Sequence, residues 1–82
     1  MNDPCQLFKS QHKKAKETLD VLEQEKHQIE LSLESNPISS DLNKKLRKIN
    51  LDIKITVNEL EHADYSIEKC EIKHINPKKT NL

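Results

Sequence analysis

The sequence predicts an all-α fold, two long helices closed into an antiparallel coiled-coil hairpin, and three observations carry that expectation. The 82-residue chain has no glycine, one Phe, one Tyr and no Trp, so it lacks the turn residues on which sheets depend. Over two long stretches apolar residues recur at alternating steps of three and four, the spacing of a heptad seam. Only one break, SNPISSD at 35–41, separates those stretches.

The first helix is expected over about 4–34. Asp3 before Pro4 puts an N-cap ahead of a proline at the first helical position, and Gln6, three residues after Asp3, completes a capping-box-like arrangement. Its seam is Cys5, Phe8, His12, Ala15, Leu19, Leu22, Lys26, Ile29 and Leu33. A turn is expected over 35–40, because Pro37 disfavours helix at Asn36. Ser39 or Ser40 can cap the next helix, and Asp41 suits the positive end of its dipole. That second helix is expected over 41–75, with a seam of Leu42, Leu46, Ile49, Ile53, Thr56, Leu60, Ala63, Ile67, Cys70 and His74. Asn76-Pro77 ends it, and residues 76–82 read as a frayed tail.

Residues 49–57, INLDIKITV, alternate apolar and polar side chains strictly, which taken alone is a strand pattern. The helical seam extends well past this stretch on both sides, and no second strand is at hand to pair with it. Helix is therefore the expectation. Ile49 and Ile53 then belong to the seam, while Leu51 and Ile55 fall on another face with Val57 at its flank.

Helices of similar length joined by one short turn fold back on each other. Placing Leu33 opposite Leu42 pairs Ile29 with Leu46, Lys26 with Ile49, Leu22 with Ile53 and Leu19 with Thr56. Continuing outward, Ala15 meets Leu60, His12 meets Ala63, Phe8 meets Ile67 and Cys5 meets Cys70. The charges suit this layout. Helix one is basic early (Lys9, Lys13, Lys14, Lys16) and acidic late (Glu17, Asp20, Glu23, Glu25, Glu30, Glu34). Helix two runs the other way, with Lys44, Lys45, Arg47 and Lys48 before Glu59, Glu61 and Asp64. Such exposed pairs contribute about 0.2–1 kcal/mol each, so they select orientation more than they stabilise.

Composition excludes several function classes. The single domain spans 1–82, and a chain this short buries too little surface to be very stable unaided. Lys and Arg total 14, as do Asp and Glu, so no polyanion or acidic membrane surface is favoured as a partner. The basic clusters have no aromatic neighbours and are more simply complements to the acidic segments than a nucleic-acid surface. There is no nucleophile–His–acid arrangement, glycine-rich phosphate loop or paired-carboxylate cleft, so neither an enzyme activity nor a cofactor or small-molecule substrate is expected. No apolar run approaches a membrane span. The N-terminal MNDPCQLFKSQHKK lacks the basic-then-apolar pattern of a leader, so a cytoplasmic location is expected.

Cys5 and Cys70 form a candidate cysteine pair, since the register puts them in one layer. A disulfide would close nearly the whole chain, but with a cytoplasmic location expected, two small buried thiols are the favoured reading. Cys70 and His74 add soft ligands beside Cys5, yet structural zinc takes four ligands at tighter local spacing, so no metal is expected. His12 and Lys26 interrupt the first seam and are expected at its edge, with the Lys26 stem packed and its ammonium reaching water. Alternatively, polar seam residues of this kind set register or limit self-association. His27 has no partner constellation.

One set of residues is left over. On helix two Leu51, Ile55, Tyr65 and Ile72 face away from the seam, joined by His62 and flanked by Val57; helix one carries only Leu7, Val21 and Leu31 in such places. A two-helix hairpin covers one face of each helix, so a second apolar stripe stays wet or meets another molecule. These helix-two residues are the expected partner-binding site.

The plan of residues 5–75, with SNPISSDL at its turn, resembles the small helical-hairpin proteins of bacterial type III secretion. Needle subunits often carry Asn-Pro in the turn, as Asn36-Pro37 do here; the other group is the needle co-chaperones. The C-terminal NPKKTNL departs from needle subunits, whose last helix runs almost to the chain end, and so favours the co-chaperones. That resemblance implies a hairpin that does no chemistry, packs on a helical-repeat partner and helps keep an aggregation-prone subunit soluble. The expectation is thus a non-enzymatic interaction module whose partner is a helical chaperone or export subunit. The alternative is a self-assembling structural subunit, a homodimeric four-helix bundle or a needle-like filament.

Overall fold

The computed structural model describes residues 3–75, with side chains through Lys73. Within them the chain forms two helices, α1 (Gln6–Ser35) and α2 (Ser40–Ile75), packed antiparallel along most of their length. No strand occurs among the described residues, and INLDIKITV lies wholly inside α2. The molecule is a rod of 60 × 27 × 14 Å. Its least dimension is little more than one helix with side chains, so each helix can bury one face only.

The expected register is the observed one. Cys5 and Cys70 lie opposite each other with their Cα atoms 5.8 Å apart. Every seam residue from Cys5 to Leu33 and from Leu42 to Cys70 is buried or half-buried. The core is nonetheless thin: among the described residues only Cys5, Ala15, Ile49 and Ala63 are buried apolar residues. Leu22 and Ile53 are half-buried rather than enclosed, because two helices alone cannot surround a side chain. Thr56, the one buried polar residue described, donates its hydroxyl to the Asp52 carbonyl at 2.8 Å, which satisfies it without a partner on α1. Lys26 is half-buried, as its place at the seam edge required.

The two helix starts differ. At α2 the Leu42 N–H donates to Ser39 Oγ at 3.2 Å, a serine N-cap with Asp41 in the first turn. Asn43 reinforces it by donating its side-chain amide to the Ser39 carbonyl at 2.8 Å. At α1 the expected capping box does not form, and the helix begins two residues later than the sequence suggested. Asp3 Oδ1 accepts the Cys5 N–H at 2.8 Å and the Asp3 carbonyl accepts the Gln6 N–H at 3.0 Å, making a tight turn that precedes the helix. Gln6 sends its amide forward to Ser10 Oγ.

Between the helices Asn36 takes φ −145° and ψ 68°, outside the helical region that a following proline disfavours. Its N–H closes α1 onto the Ser32 carbonyl, and the Ser39 N–H returns to the Asn36 carbonyl at 3.2 Å. The turn needs no positive φ, which is how a chain without glycine can make it.

One expectation is corrected here. The reading of Cys5 and Cys70 as reduced thiols does not hold in this structure, where the two sulfurs are bonded across a sequence separation of 65. The register already brought them together. The tail at 76–82 and the His74 side chain lie outside the described residues.

Candidate functional site

The surface of α2 opposite the seam follows from helical arithmetic. Leu51 and Ile55 stand two residues after Ile49 and Ile53, a rotation of about 200° on the helix. Tyr65 and Ile72 stand in the same relation to Ala63 and Cys70. Burying the seam therefore forces these four outward, and Leu51 is 57% and Tyr65 61% exposed. Ile55 and Ile72 are exposed with them, Val57 lies at the border of exposure, and His62 is exposed in the middle of the stripe. The structure thus places all six sequence-predicted residues on the outside of α2, with Val57 at the flank.

Local detail shapes this face toward the open end of the hairpin. Tyr65 lies beneath the Lys69 ammonium, 5.5 Å from nitrogen to ring centroid, within cation–π range. Tyr65, Glu68, Lys69, Ile72 and Lys73 line a surface concavity of about 550 Å³. The α1 counterparts Leu7, Val21 and Leu31 are exposed too, but they are too far apart to form a stripe.

Ion pairs concentrate at the open end. Lys9 Nζ binds Asp3 Oδ2 at 2.9 Å and Glu71 Oε2 at 3.2 Å, and the hydrogen bonds to Asp3 and then Glu71 raise its pKa above the ordinary lysine value. His12 Nε2 meets Asp64 Oδ1 at 2.9 Å. These contacts realise the expected match between the basic start of α1 and the acidic end of α2. At the turn end the match is not realised. Lys48 pairs with Asp52 on its own helix. Among the described residues, no ion pair joins Lys44, Lys45 or Arg47 to the acidic run of α1. Lys44, Lys45 and Arg47 are exposed, and water solvates such charges about as well as a surface partner does.

Ile38 is the residue that sequence reasoning passed over. It sits at the tip of the turn and is 90% exposed, the most exposed large apolar side chain described. Its signal was an isolated isoleucine among serines with no seam position to occupy. His27, for which the sequence offered no partner constellation, is exposed. The Cys5 and Cys70 sulfurs, two of the three soft ligands considered, bond each other. Among the described residues no group of His, Cys, Asp and Glu is gathered to hold a metal, and no helix is long and apolar enough to cross a membrane.

Comparison of the chain with protein-family models, with curated proteins and with solved structures finds no match in any of the three.

Proposed function

We propose that this chain is a non-enzymatic protein–protein interaction module, a co-chaperone or adaptor that packs the outer face of α2 on a helical partner. The single observation behind this reading is the two-sidedness of α2: one face is closed against α1, while Leu51, Ile55, Tyr65 and Ile72 are exposed along the other. A hairpin holds that face as preformed helix, so binding does not have to pay for folding it. A groove or helix on the partner receives anchors at helical spacing, with Tyr65 the strongest candidate because tyrosine supplies large contact area at low entropy cost.

The antiparallel hairpin supports the comparison with the small helical-hairpin proteins of type III secretion, Asn36-Pro37 being the feature shared with needle subunits, and in their co-chaperones such a hairpin accompanies a helical chaperone and an export subunit. A cytoplasmic site of action belongs to the same proposal. In a reducing cytoplasm the Cys5–Cys70 layer would hold two thiols, the bond being kept under oxidising conditions. Self-assembly is the second reading, favoured by the same stripe and by the distribution of charge along α2.

Light scattering of the purified chain, alone and mixed with the products of neighbouring genes, tests the proposal when repeated with Leu51→Glu/Ile55→Glu. The expected result is a complex of fixed stoichiometry that the double variant fails to form while remaining helical. A variant that stays helical and keeps every association of the parent chain would reduce the stripe to incidental apolar surface.

A further inference from the structure

We infer that the Cys5–Cys70 bond is a thiol–disulfide exchange site: a small anionic thiol enters a cleft beside Cys70, bonds to its sulfur and releases Cys5 as the thiolate. The two cysteines are not equivalent. Cys5 is 2% exposed, closed in by the seam, whereas Cys70 is half-buried and lines a surface cleft of about 390 Å³ that Cys5 does not line. Exchange needs a thiolate to reach one sulfur of the bond, and access decides which sulfur is attacked. Cys70 offers that access, so Cys5 is the leaving sulfur.

The walls of the cleft select the thiol. Phe8 and Tyr65 give it apolar surface, and Lys69 and Lys73 bring two ammonium groups. Among the described residues no carboxylate lines it. The carboxylates of Asp3 and Glu71, closest to the bond along the chain, are both held by Lys9 Nζ, at 2.9 and 3.2 Å. Glu68 lines the neighbouring concavity on the outer face instead. Cations beside an exchanging sulfur favour the thiolate form that reacts, and they attract carboxylates carried by the same reagent. A cleft of this volume is at the small end of ligand sites. The matching reagent is a small thiol bearing carboxylates, the chemistry of glutathione.

The exchange balances with thiol as the only co-reactant. The incoming thiolate sulfur bonds to Cys70 Sγ as the Cys5–Cys70 bond breaks, and the electron pair of the broken bond leaves on Cys5 Sγ, which takes a proton from water. Attack of Cys5 back on Cys70 Sγ expels the thiol and restores the bond. Attack of a second thiolate on the incoming sulfur instead frees Cys70, so that two thiols are oxidised to their disulfide while the protein bond is reduced to two thiols. With Cys5 released, the open end keeps the Lys9–Glu71 and His12–Asp64 pairs and the half-buried Phe8 and Ile67. Tyr65, Lys69 and Lys73 also line the outer concavity, so an adduct on Cys70 stands at the edge of the face proposed for docking, although the exchange does not depend on that reading.

The test treats the oxidised full chain with reduced glutathione or with neutral mercaptoethanol, quenches with excess maleimide at intervals, and maps both cysteines by peptide mass spectrometry. The expected species with one exchange carries glutathione on Cys70 and maleimide on Cys5. In Lys69→Gln/Lys73→Gln the rate of bond opening by glutathione should fall about twofold to tenfold, the range for two exposed charge pairs, while the rate with mercaptoethanol stays that of the parent. The neutral thiol separates loss of charge from any disturbance of the helix end. Glutathione on Cys5, an even distribution over the two sulfurs, or no adduct on either overturns the inference. So does an equal fall for both thiols, or no fall for glutathione, since the cleft would then not select an anionic reagent.

Discussion

Reduction of the Cys5–Cys70 bond is expected to lower the stability of the hairpin at least as much as any single side-chain deletion. The bond joins residues 65 apart in sequence, and the chain-entropy cost of closing a loop of that length corresponds to about 4 kcal/mol at room temperature. The layers just inside it cannot compensate. Phe8 and Ile67 are half-buried, and the next layer pairs His12 with the small Ala63. Typical domains have about 5–15 kcal/mol of net stability, so the bond accounts for a large share here. On the size scaling for a domain this short, the melting temperature should fall by roughly 15–30 °C. The assay is a helix melt followed by circular dichroism with and without a phosphine reductant, at one fixed protein concentration because association also shifts melting. Thiol alkylation and mass spectrometry should report the bond state of each sample. Oxidised and reduced chains that melt within a few degrees of each other would refute the reasoning and mean that the seam alone holds the open end.

Three smaller perturbations follow from the same structure. Ile49→Ala should cost about 2–4 kcal/mol and Leu22→Ala only about 1–2 kcal/mol, because Ile49 is buried and Leu22 half-covered; equal losses in denaturant titrations would mean the core is not graded as described. Ser39→Ala removes the oxygen that receives the Leu42 N–H and should destabilise by about 1 kcal/mol, read as faster hydrogen exchange at the start of α2. Lys9 has a pKa raised by Asp3 and Glu71, so its stabilisation is complete below the ordinary lysine value of 10.5 and is lost as pH climbs through the raised one. The gap in melting temperature between the parent chain and Lys9→Gln should therefore close at strongly alkaline pH, and a gap that widens there would reverse the sign.

Nearly all of the backbone was legible in the sequence because one physical signal, the heptad, dominates a long helix and leaves few alternatives. The pairing of Leu33 with Leu42 was enough to place Cys5 against Cys70 at the far end, since α-helices accumulate little register error over such a length. INLDIKITV could be read as helix for the same reason: a seam running past it outweighs a local alternation. What failed was decided by short-range geometry that periodicity does not carry. Asp3 and Gln6 have the letters of a capping box, but Pro4 and Cys5 make a turn first. The acidic run of α1 and the basic run of α2 suit each other by sequence, but no ion pair joins them among the described residues. The outer stripe was visible as residues the seam did not use, and exposure at Leu51, Ile55, Tyr65 and Ile72 followed from burial on the opposite face. Ile38 had no such logic, since a turn residue belongs to no period.

The central claim is that α2 binds through its outer face, and a comparison of two matched double variants tests it most directly. Leu51→Glu/Ile55→Glu alters that face, while Val21→Glu/Leu31→Glu makes the same chemical change on exposed positions of α1. Light scattering of each, alone and with the partner, is the measurement, with circular dichroism confirming that both remain helical. The account predicts that association is lost in the α2 variant and kept in the α1 variant. Loss in the α1 variant with association retained in the α2 variant would contradict it.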